Sequence, residues 1–321
     1  MNYAILSVDI GKTNKKATVF TDDLKPVFEA RTRIGEIKKE CFLCDNTHNI
    51  LSWLKKIIGV ICEKFSIKVM TISAYGSTLT FLRDAYLVFP VISYNQNIND
   101  NIRTSFYNNF GTPYELYTIT GTPPYGRLLN AGIQIYWLKK YYSQKFDKVN
   151  RIMFLPQYLT YKLSGCESCD ITNLGCHTYL YDIKKSSFSY VAEETSAEIL
   201  FPDIKETYRY LGELKIGNRS ISATPGIHDT NASLVPFLSE KDSVFLSTGT
   251  WCIAMNPSID FKPMKEELYR DVLYYLNIYG EPIKASRFAG GYEYEHYCNI
   301  IRRKFSIEPE GLKFDENVFR D

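Results

Sequence analysis

Long uncharged apolar runs are missing from this 321-residue chain. The most apolar stretch, residues 50–65, carries Lys55, Lys56, Glu63 and Lys64. A bilayer core needs about 20 predominantly apolar residues in a row, so no membrane partner is expected. Excess charge of one sign is also missing. The 38 basic and 36 acidic residues leave a formal charge of +2, which argues against a nucleic-acid or membrane-surface protein. No signal peptide is read at the start, where a strand pattern begins at once. Eight cysteines without a secretory segment imply free thiols and a cytoplasmic location. Low-complexity segments and obvious flexible linkers are absent, and so is the lysine-serine/threonine ending of a Walker A loop.

What is present fits a folded protein of two domains: 45% hydrophobic residues, with 25 Tyr and 19 Phe. Two turns rich in Gly, Thr and Ser stand far apart. The first is DIGKTNKK, Asp9 to Lys16, and the second STGTW, Ser247 to Trp251. Each lies between short apolar strands and aims backbone N–H groups and hydroxyls at one spot, as a polyphosphate requires. Two such turns suggest half-sites closing on one nucleotide.

The pattern predicts strands at 3–8, 16–21 and 26–33, then a helix over 46–65 capped by Asn46 or Thr47, then a strand at 67–74 with the continuous apolar character of a buried one. Three strands, a helix and a strand is the order of a ribonuclease-H-like domain. Helices are expected at 130–142 and 155–163, the second closed by Ser164-Gly165. A partial echo follows, with strands at 243–247, 251–255, 273–279 and 282–287, and a helix at 292–304. The expectation is an α/β chain with an N-terminal domain over 1–238 and a partial second domain over 239–321.

Gly226-Ile227-His228-Asp229 places an acid before a short helix. The helix dipole favours the carboxylate, and a carboxylate can accept the proton of a hydroxyl attacking phosphorus. The plain alternative is a helix cap. Asp9 ends a strand before a glycine, where a carboxylate can hold Mg2+ beside phosphates. Lys12 and Lys16 could balance phosphate charge, or the turn could be an ordinary hairpin with solvated lysines. Gly76 and Ser77 end the strand at 67–74, where a glycine allows close ligand approach or merely a turn. Cys41/Cys44 and Cys166/Cys169 form two CxxC pairs, far apart for a zinc ribbon. A zinc-stabilised scaffold is the outlying alternative.

DIGKTNKK, GIHDT, STGTW and ARFAGGYEYE, in this order, resemble the FGGY carbohydrate kinases, in their rhamnulokinase-like and fuculokinase-like branch. LNAGIQIYWLK, PQYLTYKLSG and TNLGCH extend the likeness over most of the chain. The resemblance implies an actin-like ATPase fold of two ribonuclease-H-like domains, the second incomplete here. It implies ATP and Mg2+ in the cleft and a small-molecule sugar, a ketose such as a deoxyketohexose, as acceptor. Asp229 would be the base and Asp9 would assist the metal. Gly11, Lys12, Thr13, Asn14, Lys16, Thr248, Gly249 and Thr250 would surround the nucleotide. His228, Gly76 and Ser77 would face the sugar. A homodimer is left open.

The chain departs from the family at Lys12, where many relatives carry Thr or Ser. It departs again at Ser93-Tyr94-Asn95-Gln96, which lacks an Arg-Asp pattern. Family members also continue further, through a glycine-rich adenosine-binding segment. The rival expectation is therefore a non-catalytic or degenerate sugar-binding homologue without a complete ATP site.

Overall fold

A computed structural model describes residues 3–240, 243–248, 251–257 and 259–309. The chain opens with the antiparallel meander β1 (Ala4–Ile10), β2 (Asn14–Thr21) and β3 (Pro26–Arg33), followed by a small hairpin, β4 (Glu36–Lys39) and β5 (Phe42–Asp45). Along β1, Ala4, Leu6, Val8 and Ile10 are buried, which leaves Ser7 and Asp9 on the opposite face, as the two-residue period of a strand requires. Helix α1 (Thr47–Lys64) covers the buried face with Ile50, Leu54, Ile58 and Ile61. Each such side chain contributes about 1.5–3 kcal/mol on burial. The cap is Asn46, whose side chain accepts from the Asn49 N–H.

Strand β6 (Ile67–Ala74) then pairs with β1 in parallel, Asp9 opposite Ser73. Its expected continuous burial is not what forms. Ile67, Met70, Ile72 and Ala74 are buried, Lys68 is exposed, and Thr71 and Ser73 are half-buried. Thr71 and Ser73 share the face that carries Asp9, so that face is polar by construction.

A side sheet comprises β7 (Leu79–Arg83), β8 (Tyr86–Leu87) and β9 (Arg151–Phe154). Around it lie α2 (Asp100–Phe110), α3 (Pro113–Thr120), α4 (Ala131–Tyr141), the short α5 (Ser143–Phe146), α6 (Leu155–Ser164), α7 (Ile171–Leu174) and α8 (Tyr190–Glu194). The expected glycine stop of α6 is present, with Gly165 in the left-handed region at φ 76°. A small hairpin, β10 (Tyr181–Asp182) and β11 (Ser187–Phe188), precedes α8.

The main sheet is completed by β12 (Gly212–Ile216), β13 (Arg219–Ala223) and β14 (Ile227–His228). Its order is β12-β13-β6-β1-β2-β3, with β14 also on β6. Both β13 and β14 run parallel to β6, Ala223 opposite Met70 and His228 opposite Ala74. The bend between them passes through Gly226 at φ 94°, a conformation that suits glycine. Helix α9 (Asp229–Leu234) starts directly off β14.

A second, antiparallel sheet follows, in the order β15 (Phe245–Ser247), β16 (Cys252–Asn256), β18 (Pro282–Phe288), β17 (Val272–Leu276). Helix α10 (Gly290–Phe305) comes last. This sheet docks through β17. Tyr274 and Leu276 enter the large core around α2, α3 and α4. Leu273 and Tyr275 join a bridging cluster with Tyr125, Cys176 and Leu234. The Tyr274 N–H donates to the Gly121 carbonyl at 2.9 Å. Among the described residues, no helix is long and apolar enough to cross a membrane.

Candidate active site

Parallel strands β1, β6 and β14 end side by side, and carboxyl ends of parallel strands are where α/β sheets bind ligands. Asp9 sits one residue from the end of β1, and Asp229 follows the end of β14. Ser73 on the intervening β6 donates its hydroxyl to Asp9 Oδ1 at 3.2 Å. Burial first, then the charge of Asp229, raises the Asp9 pKa above 3.8, while Ser73 and Lys16 hold it down. A buried carboxylate with a second acid's charge close by makes a place a divalent cation would relieve.

Asp229 is half-buried, with 32% of its side chain exposed. Its Oδ1 accepts from the Thr230 N–H at 2.6 Å and the Thr230 hydroxyl at 3.2 Å. The N-cap of α9 is His228, and Asp229 is the first residue of the helix, so its carboxylate is part-open rather than a cap. Beside it, Nε2 of the buried His228 lies 3.4 Å from Asp229 Oδ1. The other ring nitrogen, Nδ1, faces the Asn231 amide nitrogen at 3.1 Å. An amide nitrogen can only donate, so Nδ1 accepts and the ring proton sits on Nε2, which also has Cys176 Sγ at 4.0 Å. Burial lowers the His228 pKa, which keeps the ring neutral.

A buried polar relay holds this loop. Asp170 Oδ1 accepts from the Thr172 hydroxyl at 2.7 Å and the Asn173 N–H at 2.8 Å. The Thr172 hydroxyl oxygen accepts the His228 N–H at 3.0 Å. Burial pushes the Asp170 pKa up against these hydrogen bonds. Asp170 and Asn231 escaped the reading of the chain. The signal for Asp170 is present in Asp-x-Thr-Asn opening α7, a capping pattern, but its link to position 228 runs through Thr172, 56 residues away in sequence.

The first turn differs from expectation. Lys12, expected to balance phosphate charge, is already neutralised. Its ammonium lies 2.7 Å from Asp45, 2.9 Å from Glu36 and 2.8 Å from the Ser93 hydroxyl, over the rings of Tyr94 and Tyr75. Ser93 in turn donates to Glu36. Lys15, not singled out in the sequence, is buried, with its ammonium donating to the carbonyls of Lys12 (2.9 Å), Thr13 (3.4 Å) and Ile34 (2.6 Å). Alternation explains it: Lys15 falls on the inner face between exposed Asn14 and half-buried Lys16. Thr13 and Asn14 are exposed, and Lys16 pairs opposite Asp9. Gly11 leaves room for the turn, since a Cβ there would meet the Asn14 carbonyl oxygen at 2.9 Å.

Gly76 abuts His228: a Cβ at 76 would stand 3.0 Å from His228 Nε2. Ser77, expected to face a sugar, is fully buried and donates inward to the Leu129 carbonyl at 3.3 Å. That correction follows from its position just past the strand end, in the left-handed region at φ 57°, where the chain turns back into the core. Thr248 is exposed after β15, and β15 packs on α9. Gly249 and Thr250 lie outside the described residues. Among the described residues no three His, Cys, Asp or Glu side chains gather as a metal site. Cys41 is exposed while Cys44 and Cys169 are buried, and all eight cysteines are free thiols.

Two family models match the chain. The FGGY family of carbohydrate kinases, N-terminal domain, spans residues 4–233, and the carbohydrate kinase FGGY, C-terminal domain, spans residues 240–319. The chain therefore belongs to the FGGY family of carbohydrate kinases. Among curated relatives, L-fuculokinase of Escherichia coli is 25% identical over 280 residues, 78% of this chain and 56% of that protein. A rhamnulokinase of Halalkalibacterium halodurans is 25% identical over 169 residues, 50% of this chain and 36% of its own length. The chain thus spans about half the length of the fuculokinase, and less of the rhamnulokinase. In structure, a carbohydrate kinase from Novosphingobium aromaticivorans superposes with TM-score 0.83 at 24% identity, covering 96% of this chain and 68% of that one. A xylulose kinase from Lactobacillus acidophilus gives 0.78 at 17%, covering 94% and 62%. The fold is the actin-like ATPase fold of these kinases.

Proposed function

We propose that this chain transfers the γ-phosphoryl group of ATP to a hydroxyl of a ketose, with Asp229 as general base. One observation carries the reading: Asp9 and Asp229 stand at the ends of parallel strands, close enough for the charge of Asp229 to act on Asp9, beside the turn at 11–14. The names of the two relatives favour a deoxyketohexose as acceptor. Residues 1–238 would form the sugar-binding domain, and residues 239–321 would belong to the nucleotide-binding domain.

In this reading Asp229 accepts the proton of the attacking hydroxyl. Its carboxylate suits that task because it is part-exposed and held by Thr230. Neutral His228 packs beside it, with Nε2 3.4 Å from Oδ1, and walls off one side of the carboxylate. Asp9, with Asp229 nearby, would hold Mg2+, which when bound neutralises phosphate charge. The backbone of the turn at Gly11, Thr13 and Asn14, together with Lys16, would line the phosphates. Thr248, Gly249 and Thr250 would approach from the second sheet. Lys12 serves as the scaffold of that turn rather than as a phosphate ligand.

The test is Asp229→Asn in an ADP-release assay over a panel of ketoses, with calorimetry of sugar binding alongside. Turnover falls by about 100-fold or more, while sugar affinity changes little. Unchanged turnover in the variant removes the base. Sugar binding without ATP consumption by the unmodified chain removes the transfer and leaves a sugar-binding homologue.

A further inference from the structure

We propose that Tyr275, delivered by β17 of the second sheet, is a positioning residue for Asp229 that acts through the imidazole of His228. The inference rests on the reading of Asp229 as base.

Most of the His228 cage belongs to the first sheet and its helices. Gly76 abuts one side, Cys176 Sγ lies 4.0 Å from Nε2, Asn231 lies 3.1 Å from Nδ1, and Thr172 accepts the backbone N–H. Tyr275 reaches the same ring from the other sheet. Its ring stands edge-on to His228, with centroids 5.7 Å apart and planes at 83°. It stands edge-on to His177 as well, at 5.3 Å and 83°, and its hydroxyl lies 3.4 Å from His177 Nε2. Tyr275 is only 2% exposed, so it has no room to step aside. A perpendicular aromatic contact of this kind favours one relative tilt of the two rings.

The contact is braced from behind. His177 packs against Tyr125 at 5.2 Å, and the Arg287 guanidinium from β18 lies 3.8 Å above the Tyr125 ring. Arg287 is itself paired with Asp271 at 3.1 Å. Two adjacent strands of the second sheet therefore grip the tyrosine–histidine stack that ends at Asp229. A shift of the second sheet moves one wall of the His228 cage while the others stay with the first. The imidazole then tilts, and the carboxylate 3.4 Å from its Nε2 loses its aim.

The alternation of β17 supplies a control. Tyr274 is also buried but faces Tyr117 and Phe261 in the other core. The experiment uses the full chain and compares Tyr275→Leu, Tyr275→Phe and Tyr274→Leu by kcat, by KM for the sugar and by the NMR signals of the His228 ring. Tyr275→Leu lowers kcat about tenfold or more, leaves KM within about twofold and shifts the His228 signals. Tyr275→Phe keeps the ring contact and retains both values. Tyr274→Leu leaves the His228 signals in place. Wild-type kcat in Tyr275→Leu, or the same His228 shift in Tyr274→Leu, overturns the proposal. If the unmodified chain shows no turnover, the base assignment is what fails. The His228 signals then decide the positioning contact on their own: a shift in Tyr275→Leu but not in Tyr274→Leu upholds it, and no shift in either overturns it.

Discussion

Asp9 and Asp229 stand at the ends of two parallel strands with β6 between them, and Asp229 is the largest charge acting to raise the Asp9 pKa. A carboxylate whose folded pKa is raised costs stability at neutral pH, and that cost is lifted as pH falls through the folded pKa toward 3.8. Asp9→Asn should therefore melt a few degrees higher than the wild type at pH 7. The gap should close on acidification, and turnover should fall. Thermal scans over a pH series check the sign. A variant no more stable than the wild type at pH 7 would mean the two acids do not repel.

Lys12 and Asp45 predict a non-additive pair. The Asp45 side chain is only 4% exposed, so removing its cation leaves a buried charge uncompensated, a loss of about 3–5 kcal/mol. Lys12→Met should be severe. Lys12→Met combined with Asp45→Asn should recover much of the loss, leaving Glu36, at 25% exposed, to find water. Denaturant melts of the single and double variants measure the coupling. Simple additivity would return Lys12 to the phosphates.

Gly76 tests whether His228 must sit where it does. Gly76→Ala puts a methyl 3.0 Å from Nε2 and 3.1 Å from Cδ2 of His228. The imidazole must give by a few tenths of an ångström. A drop in kcat of about tenfold to 100-fold with the melting temperature nearly kept is the expected result. An unaltered kcat would show that the ring position is slack.

Lys15 predicts a pH signature. Burial, first among its causes, lowers its pKa from 10.5 to about 8. The unfolded chain then holds the proton more tightly than the folded one, so stability rises with pH from about 8 to 10.5. Lys15→Met lacks that rise. It also leaves the carbonyls of Lys12, Thr13 and Ile34 without their donor, at about 1–3 kcal/mol for each one that stays buried. Melting curves of both proteins over that pH range decide it, and parallel curves would refute the buried ammonium.

Much of the frame was legible in the chain. The meander, α1 and α4 follow from periodicity and capping, β6 from its apolar run though its burial alternates, and Asn46, Asn130 and Gly165 mark helix ends as local chemistry predicts. The two turns and the His228–Asp229 step were legible for the same reason: each is a contiguous run whose residue types serve one purpose. Other features were not. Nothing near Lys12 announces Glu36, Asp45 and Ser93, which lie 24, 33 and 81 positions on. Ser77 reads as a ligand-facing hydroxyl until the turn aims it inward.

The sequence by itself determined the strand–helix order, the turns and the acids at 9 and 229, because hydrogen-bonding periodicity and turn stereochemistry act over a few residues. Only the tertiary structure decided that Asp9 comes within range of the charge of Asp229 across β6, that Lys12 is spent on two acids, and that Tyr275 reaches His228 from another sheet. Those contacts join residues far apart along the chain. They arise from the burial of whole strand and helix faces, which no local pattern encodes.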